Sequence, residues 1–253
     1  MTNKLKYFIG NWKMFGDYSS LKIIYQIHRF CSRFKRFNKK NKIIICVPNT
    51  LISFFTNKLK SKFISIGAQN CHHQQNYGAF TGSVSATMLK KIGAKFIILG
   101  HSENRREGDT VKIIKKKVKS ALNEKLNIIF CIGETFGEKK MKKTFLVLKK
   151  QIQGSLEKNF NFNNIIIAYE PVWSIGTGKL PKFRELEKIF RFIKNEIKDQ
   201  FKTKKFPLVL YGGSVNHKNV KMFSLISDID GFLIGGASQS SKKFIDIIKN
   251  YYK

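Results

Sequence analysis

Eight short apolar runs, separated by helical patterns, constrain what this chain can fold into. Most of the runs are nearly continuous in apolar character and rich in β-branched residues, which is typical of parallel strands buried on both faces. We therefore expect eight parallel strands. They are Tyr7–Ile9, Ile43–Val47, Phe63–Ile66, Phe96–Leu99, Ile128–Ile132, Ile165–Ala168, Leu208–Leu210 and Phe232–Ile234.

Between these runs, apolar residues recur at helical spacing. One stripe is Leu21, Ile24, Tyr25, His28 and Cys31, and it begins after Ser19 and Ser20 as candidate N-caps. A regular alternation of strand and helix favours a parallel α/β architecture. The other stripes are Val111, Ile114, Val118, Ala121 and Leu122; Leu186, Ile189, Phe190, Ile193 and Ile197; and Phe244, Ile245, Ile248 and Tyr251.

The number of strand–helix units suits one particular α/β fold. Eight units in 253 residues match a (β/α)8 barrel, the TIM barrel, in which helices surround eight parallel strands. An open doubly wound sheet is the alternative, because a strand count alone does not exclude it. No linker-like or low-complexity stretch interrupts the pattern, so we expect one catalytic domain over residues 1–253.

Composition excludes some other protein classes. No segment approaches the roughly 18 apolar residues of a membrane span, and residues 1–10 lack the apolar stretch of a secretory signal. The cysteines Cys31, Cys46, Cys71 and Cys131 form no CxxC pair, so we expect reduced thiols in a cytoplasmic protein. Consecutive side chains point apart, so we interpret the Cys71-His72-His73 run as solvated loop residues and not as a metal site.

The formal net charge of +32 has two explanations. Nucleic-acid binding is one, because a basic surface attracts phosphates. Compositional drift is the other: Lys, Asn, Ile and Phe are all abundant, all have AT-rich codons, and the lysines are spread over the whole chain. We favour drift, and expect neither a specific nucleic-acid partner nor a membrane partner.

Polar residues follow five of the predicted strands at the point where each strand ends. Barrel enzymes carry their chemistry at this rim, so an ammonium, an imidazole and a carboxylate should meet there beside glycine-rich turns. Such a set predicts proton abstraction next to a carbonyl in an anionic substrate. The segments are 11–13 (NWK), 100–103 (GHSE), 169–171 (YEP), 211–214 (YGGS) and 235–236 (GG).

The motifs at these strand ends resemble those of the triosephosphate isomerase family. The strings GNWKM, GAQN, GAFTG, LGHSEN, CIGET, AYEPVWSIGTGK, YGGSV and DGFLIGGAS occur in order over essentially the whole chain. The resemblance implies an isomerase without cofactor or metal, which interconverts dihydroxyacetone phosphate and glyceraldehyde 3-phosphate through an enediolate. Another phosphate-binding barrel enzyme and a basic nucleic-acid-binding module are the alternatives.

The resemblance also implies a role for each polar residue. Glu170 matches the family's general base and His101 its neutral electrophile. Lys13 would supply positive charge to the forming oxyanion and to the phosphate. Asn11 would hydrogen-bond the substrate, and Glu103 would orient Lys13 or relay protons.

Glycine-rich segments match the family's phosphate site and its mobile lid. Phosphate needs backbone N–H donors at close range, and Gly176, Ser214, Gly235 and Gly236 match those contacts. The GTGK string is not a P-loop, because Trp173 and Leu180 stand where that motif needs Gly and Ser or Thr. The segment that resembles the lid is Pro171, Val172, Trp173, Ser174, Ile175, Gly176, Thr177, Gly178 and Lys179.

The resemblance also implies that the chain assembles into a homodimer. Family members are typically homodimers in which the loop Gly78–Gly82 reaches into the neighbouring subunit, and Thr81 matches the residue that approaches the partner's site. Two nearby positions depart from the family pattern: Ser83 replaces a Glu and Asn104 replaces an Arg. Because both charges are absent, neither side chain is left as an unpaired buried ion. We therefore expect a homodimer whose contact at these positions is less sensitive to salt than an ion pair would be.

Overall fold

Strands and helices alternate along the chain in a computed structural model that describes residues 5–34 and 40–253. The strands are β1 (Lys6–Asn11), β2 (Asn41–Cys46), β3 (Ile64–Ala68), β4 (Phe96–Leu99), β5 (Asn127–Ile132), β6 (Ile165–Tyr169), β7 (Leu208–Tyr211) and β8 (Gly231–Ile234). The α-helices are α1 (Leu21–Arg33), α2 (Asn49–Lys58), α3 (Ala86–Lys91), α4 (Ser102–Arg106), α5 (Val111–Asn123), α6 (Phe136–Lys140), α7 (Thr144–Ser155), α8 (Phe183–Phe201) and α9 (Ser241–Tyr251).

The eight strands close into one barrel in sequence order. All neighbouring strands are parallel, and β1 pairs with both β2 and β8, with Tyr7 opposite Gly231 at the closing seam. The predicted (β/α)8 barrel is confirmed, and the open doubly wound sheet is wrong because a strand pair joins the two ends of the sheet. All eight predicted strands are present, with ends within two residues of those expected.

Two apolar layers hold the barrel together, and β6 shows how one strand serves both. Ile166 and Ala168 point into the barrel interior. Ile165, Ile167 and Tyr169 belong to the larger cluster between the strands and the surrounding helices. Successive side chains of a strand point to opposite faces, so a strand covered on both faces must be apolar throughout.

Helix α8 packs the apolar stripe predicted for it against this barrel, whereas Tyr25 of the stripe predicted on α1 is exposed. Helix α8 buries Leu186, Ile189, Phe190, Ile193 and Ile197. These positions recur every three or four residues and therefore lie on one helical face.

The predicted N-cap of α1 is only partly correct. The helix begins after Ser20, as expected, but the Ser20 side chain makes no capping bond to it. The Ser20 hydroxyl donates to Asp17 Oδ1 at 3.1 Å instead, and Asp17 caps the short 3₁₀ turn Tyr18–Ser20. The carboxylate is a stronger acceptor than a hydroxyl, so it orders this entry to the helix.

A buried ion pair joins α8 to β8 at the end of the barrel away from the predicted site. Lys194 Nζ lies 3.2 Å from Asp230 Oδ2 and 3.4 Å from Asp228 Oδ1. The Asp230 side chain is fully buried, and its Oδ2 also accepts the backbone N–H of Val209 at 2.9 Å. The pair therefore links α8, β7 and β8 through one carboxylate.

The remaining composition-based expectations have mixed outcomes. Within residues 5–34 and 40–253, no helix is long and apolar enough to span a membrane. All four cysteines are buried thiols. The interpretation of Cys71, His72 and His73 as solvated residues whose side chains point apart is wrong. Cys71 is buried, His72 and His73 are half-buried, and the two imidazole rings lie 4.2 Å apart.

Candidate active site

The predicted catalytic and phosphate-binding residues meet around one cavity at the C-terminal ends of the strands. The cavity has a volume of about 240 Å³. An adjoining cavity contains Glu103 beside Asn11, Lys13 and His101. The first cavity is lined by Asn11, Lys13, His101, Glu170, Ile175, Gly176, Gly212, Gly213, Ser214, Val215, Leu233, Gly235, Gly236 and Ala237.

Glu170 follows β6 directly, and the residue is 2% exposed. Its Oε1 lies 3.3 Å from His101 Nε2, and its Oε2 accepts the backbone N–H of Ser102 at 3.4 Å. A Cβ at Gly212 would stand 2.7 Å from Glu170 Cγ, so glycine at that position makes room for the side chain. Burial raises the pKa of Glu170. A carboxylate in such surroundings is a stronger base than one in water.

His101 lies between β4 and α4, and its ring is held in one tautomer. Its Nδ1 accepts the backbone N–H of Glu103 at 3.2 Å. A ring nitrogen that accepts an N–H carries no proton, so this bond assigns the single proton of the neutral imidazole to Nε2. Nε2 is the nitrogen that faces the Glu170 carboxylate and the cavity. The neutral, donating imidazole expected for His101 is consistent with this geometry.

Lys13 adopts a left-handed backbone conformation, with φ of 56°, which is uncommon for a residue other than glycine. Two amide side chains hold it there. Asn11 Oδ1 accepts the Lys13 backbone N–H at 3.0 Å, and Gln69 Nε2 donates to the Lys13 carbonyl at 3.0 Å. A strained conformation needs such support, and here the strain directs the lysine toward the cavity mouth.

Glu103 holds the end of the Lys13 side chain. Lys13 Nζ donates to Glu103 Oε1 at 2.6 Å. Burial raises the pKa of Glu103, but the hydrogen bond from Lys13 and the neighbouring charges lower it more, so the net shift is downward. Glu103 is therefore ionised at neutral pH, which suits the orienting role expected for it.

The phosphate-binding residues of the prediction lie on three different segments. Ser214 follows β7, Gly235 and Gly236 follow β8, and Gly176 belongs to the predicted lid. All four line the same cavity as Glu170. This position agrees with the general rule that barrels bind phosphate after strands seven and eight.

The predicted lid is anchored at its start and exposed at its tip. Trp173 Nε1 donates to Glu134 Oε1 at 2.9 Å, and Lys139 Nζ lies 4.1 Å from the centre of the indole ring. Residues 176–179 are exposed, and a Cβ at Gly176 or Gly178 would meet no atom within 4 Å. The tip therefore lies clear of the barrel, which leaves it room to move.

Three residues near the site were not given a role by the sequence. Gln69 joins Asn11, Lys13 and the Cys46 carbonyl. Glu134 is fully buried and accepts from both Trp173 and Tyr169. Arg105 donates to the carbonyls of Gly100 and Cys131 at 2.7 and 2.9 Å. Gln69 and Glu134 follow β3 and β5, so the strand-end criterion used for the other strands identifies both.

Of the residues predicted for the dimer contact, Thr81 and Ser83 lie at the surface and do not line the cavity of Glu170. Thr81 sits in an exposed turn, and Ser83 is exposed two residues later. Asn104 is half-buried and borders the cavity that contains Glu103. Within the described ranges, no three His, Cys, Asp or Glu side chains are grouped so that they could hold a metal ion.

A buried carboxylate, an imidazole and a lysine beside glycine-rich turns are typical of one class: a barrel isomerase that acts on phosphorylated substrates. The chain belongs to the triosephosphate isomerase family, whose model matches residues 6–251. It is 38% identical to the triosephosphate isomerase of Zygosaccharomyces bailii, over 95% of this chain and 96% of that one. Identity to the enzyme of Bartonella henselae is also 38%, over the whole of both chains. The crystal structure of the B. henselae enzyme superposes with a TM-score of 0.88 at 36% identity, covering 98% of this chain and 99% of that one.

Proposed function

We propose that this chain interconverts dihydroxyacetone phosphate and D-glyceraldehyde 3-phosphate by moving one proton between adjacent carbons. The observation that carries the proposal is the arrangement around Glu170. Its buried carboxylate lies 3.3 Å from the ring nitrogen of His101 that bears the proton. A base and a hydrogen-bond donor at this distance can act on one carbon and on the carbonyl oxygen next to it.

The reaction follows from these positions. Glu170 removes a proton from the carbon beside the carbonyl, and the C–H electron pair forms a carbon–carbon double bond. The carbonyl π pair moves to oxygen, where the His101 N–H and the Lys13 ammonium stabilise the enediolate. Glu170 returns the proton to the neighbouring carbon. His101 Nε2 gives its proton to the former carbonyl oxygen and takes the hydroxyl proton from the oxygen of the other carbon, so one oxygen becomes the new hydroxyl and the other the new carbonyl. Asn11 hydrogen-bonds the substrate from the end of β1.

Phosphate binding fixes the substrate in this position. The backbone N–H groups of Gly176, Ser214, Gly235 and Gly236 would surround the phosphate oxygens, with Lys13 as the nearest cation. Because Gly176 lies on the lid, contact with the phosphate draws the lid over the cavity. Closure excludes water, which strengthens the electrostatic interactions and protects the enediolate.

A coupled assay tests the activity. Purified protein is supplied with glyceraldehyde 3-phosphate, and dihydroxyacetone phosphate is measured by NADH consumption through glycerol-3-phosphate dehydrogenase. We expect turnover in both directions without added metal or cofactor, and activity retained after treatment with a chelator. A folded protein with no turnover in either direction would overturn the proposal.

We also propose that the enzyme acts as a homodimer in which Thr81 approaches the partner's Asn11 and Lys13. Exposed apolar side chains support this, since such patches mark interaction sites. Met14 is fully exposed and Tyr77 is 66% exposed. Asn49 and Asn70 border both the surface cavity at Met14 and the one at Ser83, so the two surfaces are continuous.

Sedimentation tests the assembly. We expect a dimer at micromolar concentration, whose dissociation constant changes little with salt because Ser83 and Asn104 carry no charge. Thr81→Arg should shift the chain toward monomer and lower its activity, whereas Thr203→Arg, on a loop near the other end of the barrel, should change neither. An active monomer at micromolar concentration contradicts the dimer. A structure of the dimer in which the partner's Asn104 lies far from Ser83 would contradict the pairing of these two residues.

The proposal extends to the cellular compartment of the enzyme and to its ligands. We place it in the cytoplasm with the other enzymes of glycolysis and gluconeogenesis, as its four buried thiols would suit a reducing compartment. The small triose phosphate is its proposed ligand, and we propose no specific nucleic-acid partner. The positive charge would instead attract the anionic substrate.

A further inference from the structure

The hydroxyl of Ser174 uses its complete hydrogen-bonding capacity at the junction of the lid and the phosphate site. Ser174 ends the short 3₁₀ turn Val172–Ser174, and its side chain is fully buried. Its Oγ–H donates to the Lys179 carbonyl at 2.5 Å. Its oxygen also lies 3.0 Å from the Tyr211 hydroxyl and accepts the backbone N–H of Ser214 at 3.3 Å.

The direction of each bond follows from counting donors. A serine hydroxyl has one hydrogen and two lone pairs. The hydrogen goes to the Lys179 carbonyl, so Tyr211 must donate its hydroxyl hydrogen to Ser174. The two lone pairs are then taken by Tyr211 and by the Ser214 amide. One buried oxygen thus connects both ends of the lid, β7 and the loop after β7.

The Ser214 amide has a second expected use. It is one of the four backbone donors assigned above to the phosphate, and Ser214 lines the cavity with Gly235 and Gly236. One N–H at this distance cannot point fully at both acceptors. When a phosphate oxygen takes the amide, Ser174 loses one of its three bonds, and the attachment of the lid in its present position is weakened.

We propose that Ser174 is a positioning residue that couples phosphate binding to lid movement, because its hydroxyl competes with the phosphate for the Ser214 amide. The inference rests on the proposed function, since it uses the phosphate site assigned there. It adds that the present lid position is maintained by a donor that the substrate needs. Phosphate binding therefore releases the lid from one of its contacts, and product release restores that contact.

The test separates this competition from simple loosening of the lid. Ser174→Ala removes the competing acceptor and leaves the Ser214 amide available to phosphate. Thr177→Val is the matched control: the Thr177 hydroxyl binds only groups of the lid itself, the carbonyls of Trp173 and Ser174 and the N–H of Lys179. Both variants loosen the lid, but only the first changes the Ser214 amide.

Inorganic phosphate is the probe, and calorimetric titration gives its dissociation constant without reference to turnover. A net hydrogen bond of about 1 kcal/mol corresponds to roughly fivefold in binding. We expect Ser174→Ala to bind phosphate about fivefold more tightly than the parent chain and than Thr177→Val. We also expect Ser174→Ala to lower kcat, because tighter binding retains the product, while KM falls.

Two results would overturn the coupling. One is a phosphate affinity in Ser174→Ala equal to or weaker than that of Thr177→Val, which is the outcome of a purely structural role. The other is a fall in kcat with no change in KM. Both are distinct from failure of the proposed function, which the coupled assay on the parent chain reports by itself. Thermal unfolding of each variant confirms that it is folded under the titration conditions.

Discussion

Shortening the proposed base by one methylene should stop most of the turnover while leaving the barrel intact. In Glu170→Asp the carboxylate keeps its charge but withdraws from the cavity by about 1 Å, and a misplacement of this size costs roughly 10²-fold or more. The starting geometry is tight: Glu170 Oε1 lies 3.3 Å from His101 Nε2, and the Glu170 side chain is 3% exposed. The shorter carboxylate therefore moves away from both the imidazole and the carbon it must deprotonate.

The pH dependence gives the same prediction a second readout. Burial raises the pKa of Glu170, and a protonated carboxyl cannot remove a proton from carbon. As pH falls through this raised pKa, kcat/KM for the parent chain should decline, and the midpoint should lie above that of an ordinary glutamate.

The assay compares kcat and kcat/KM of the parent chain, Glu170→Asp and a control. Glu187→Asp makes the same chemical change on the outer surface of α8 and should retain full activity. Thermal unfolding should give nearly equal midpoints for all three proteins. Near-parental turnover in folded Glu170→Asp would refute the assignment of Glu170 as the base, whatever the other residues do.

Three further results are expected. Lys13→Ala should have no detectable activity but should unfold near the parental temperature, whereas the control Lys22→Ala should stay active. Turnover in Lys13→Ala would exclude the oxyanion role of Lys13. The net charge of +32 should steer the substrate, so kcat/KM should fall with ionic strength at matched viscosity, and a flat profile would mean that the charge is idle. Lys194→Met should lower the free energy of unfolding by roughly 3–5 kcal/mol, because it leaves the Asp230 carboxylate buried without the lysine. The surface variant Lys188→Met should lower it little, and equal unfolding midpoints for the two variants would contradict this prediction.

The sequence predicts the barrel and the position of its chemistry because both depend on local patterns. Apolar runs such as Ile128–Ile132 identify strands without reference to any partner. The polar residue after each strand then lies on the barrel rim, which brings Lys13, His101 and Glu170 together although they are far apart in the chain. The start of α1 was less predictable from the sequence. The expected cap, the Ser20 hydroxyl, donates to the Asp17 carboxylate and does not cap the helix.

Contacts between distant residues could not be predicted in this way. The bond from Trp173 to Glu134 and the ion pair of Lys194 with Asp230 each depend on where two elements meet in the fold. The spacing of apolar residues along the chain does not determine which elements meet. The contacts among the rings of His72, His73 and Phe80 depend on the path of the loop that contains all three residues. The three bonds of Ser174 depend on the folded lid, and the sequence indicated only that a lid is present.

The most direct test of the account is the fate of the migrating proton. Dihydroxyacetone phosphate is converted in D₂O, the glyceraldehyde 3-phosphate is trapped by oxidation, and deuterium at its second carbon is measured by NMR. If Glu170 removes the proton and returns one to the neighbouring carbon, part of the product should carry deuterium there, because the acid exchanges with solvent before the return. Product formed at the full rate with no deuterium at that carbon would mean a direct hydride shift and would contradict the account.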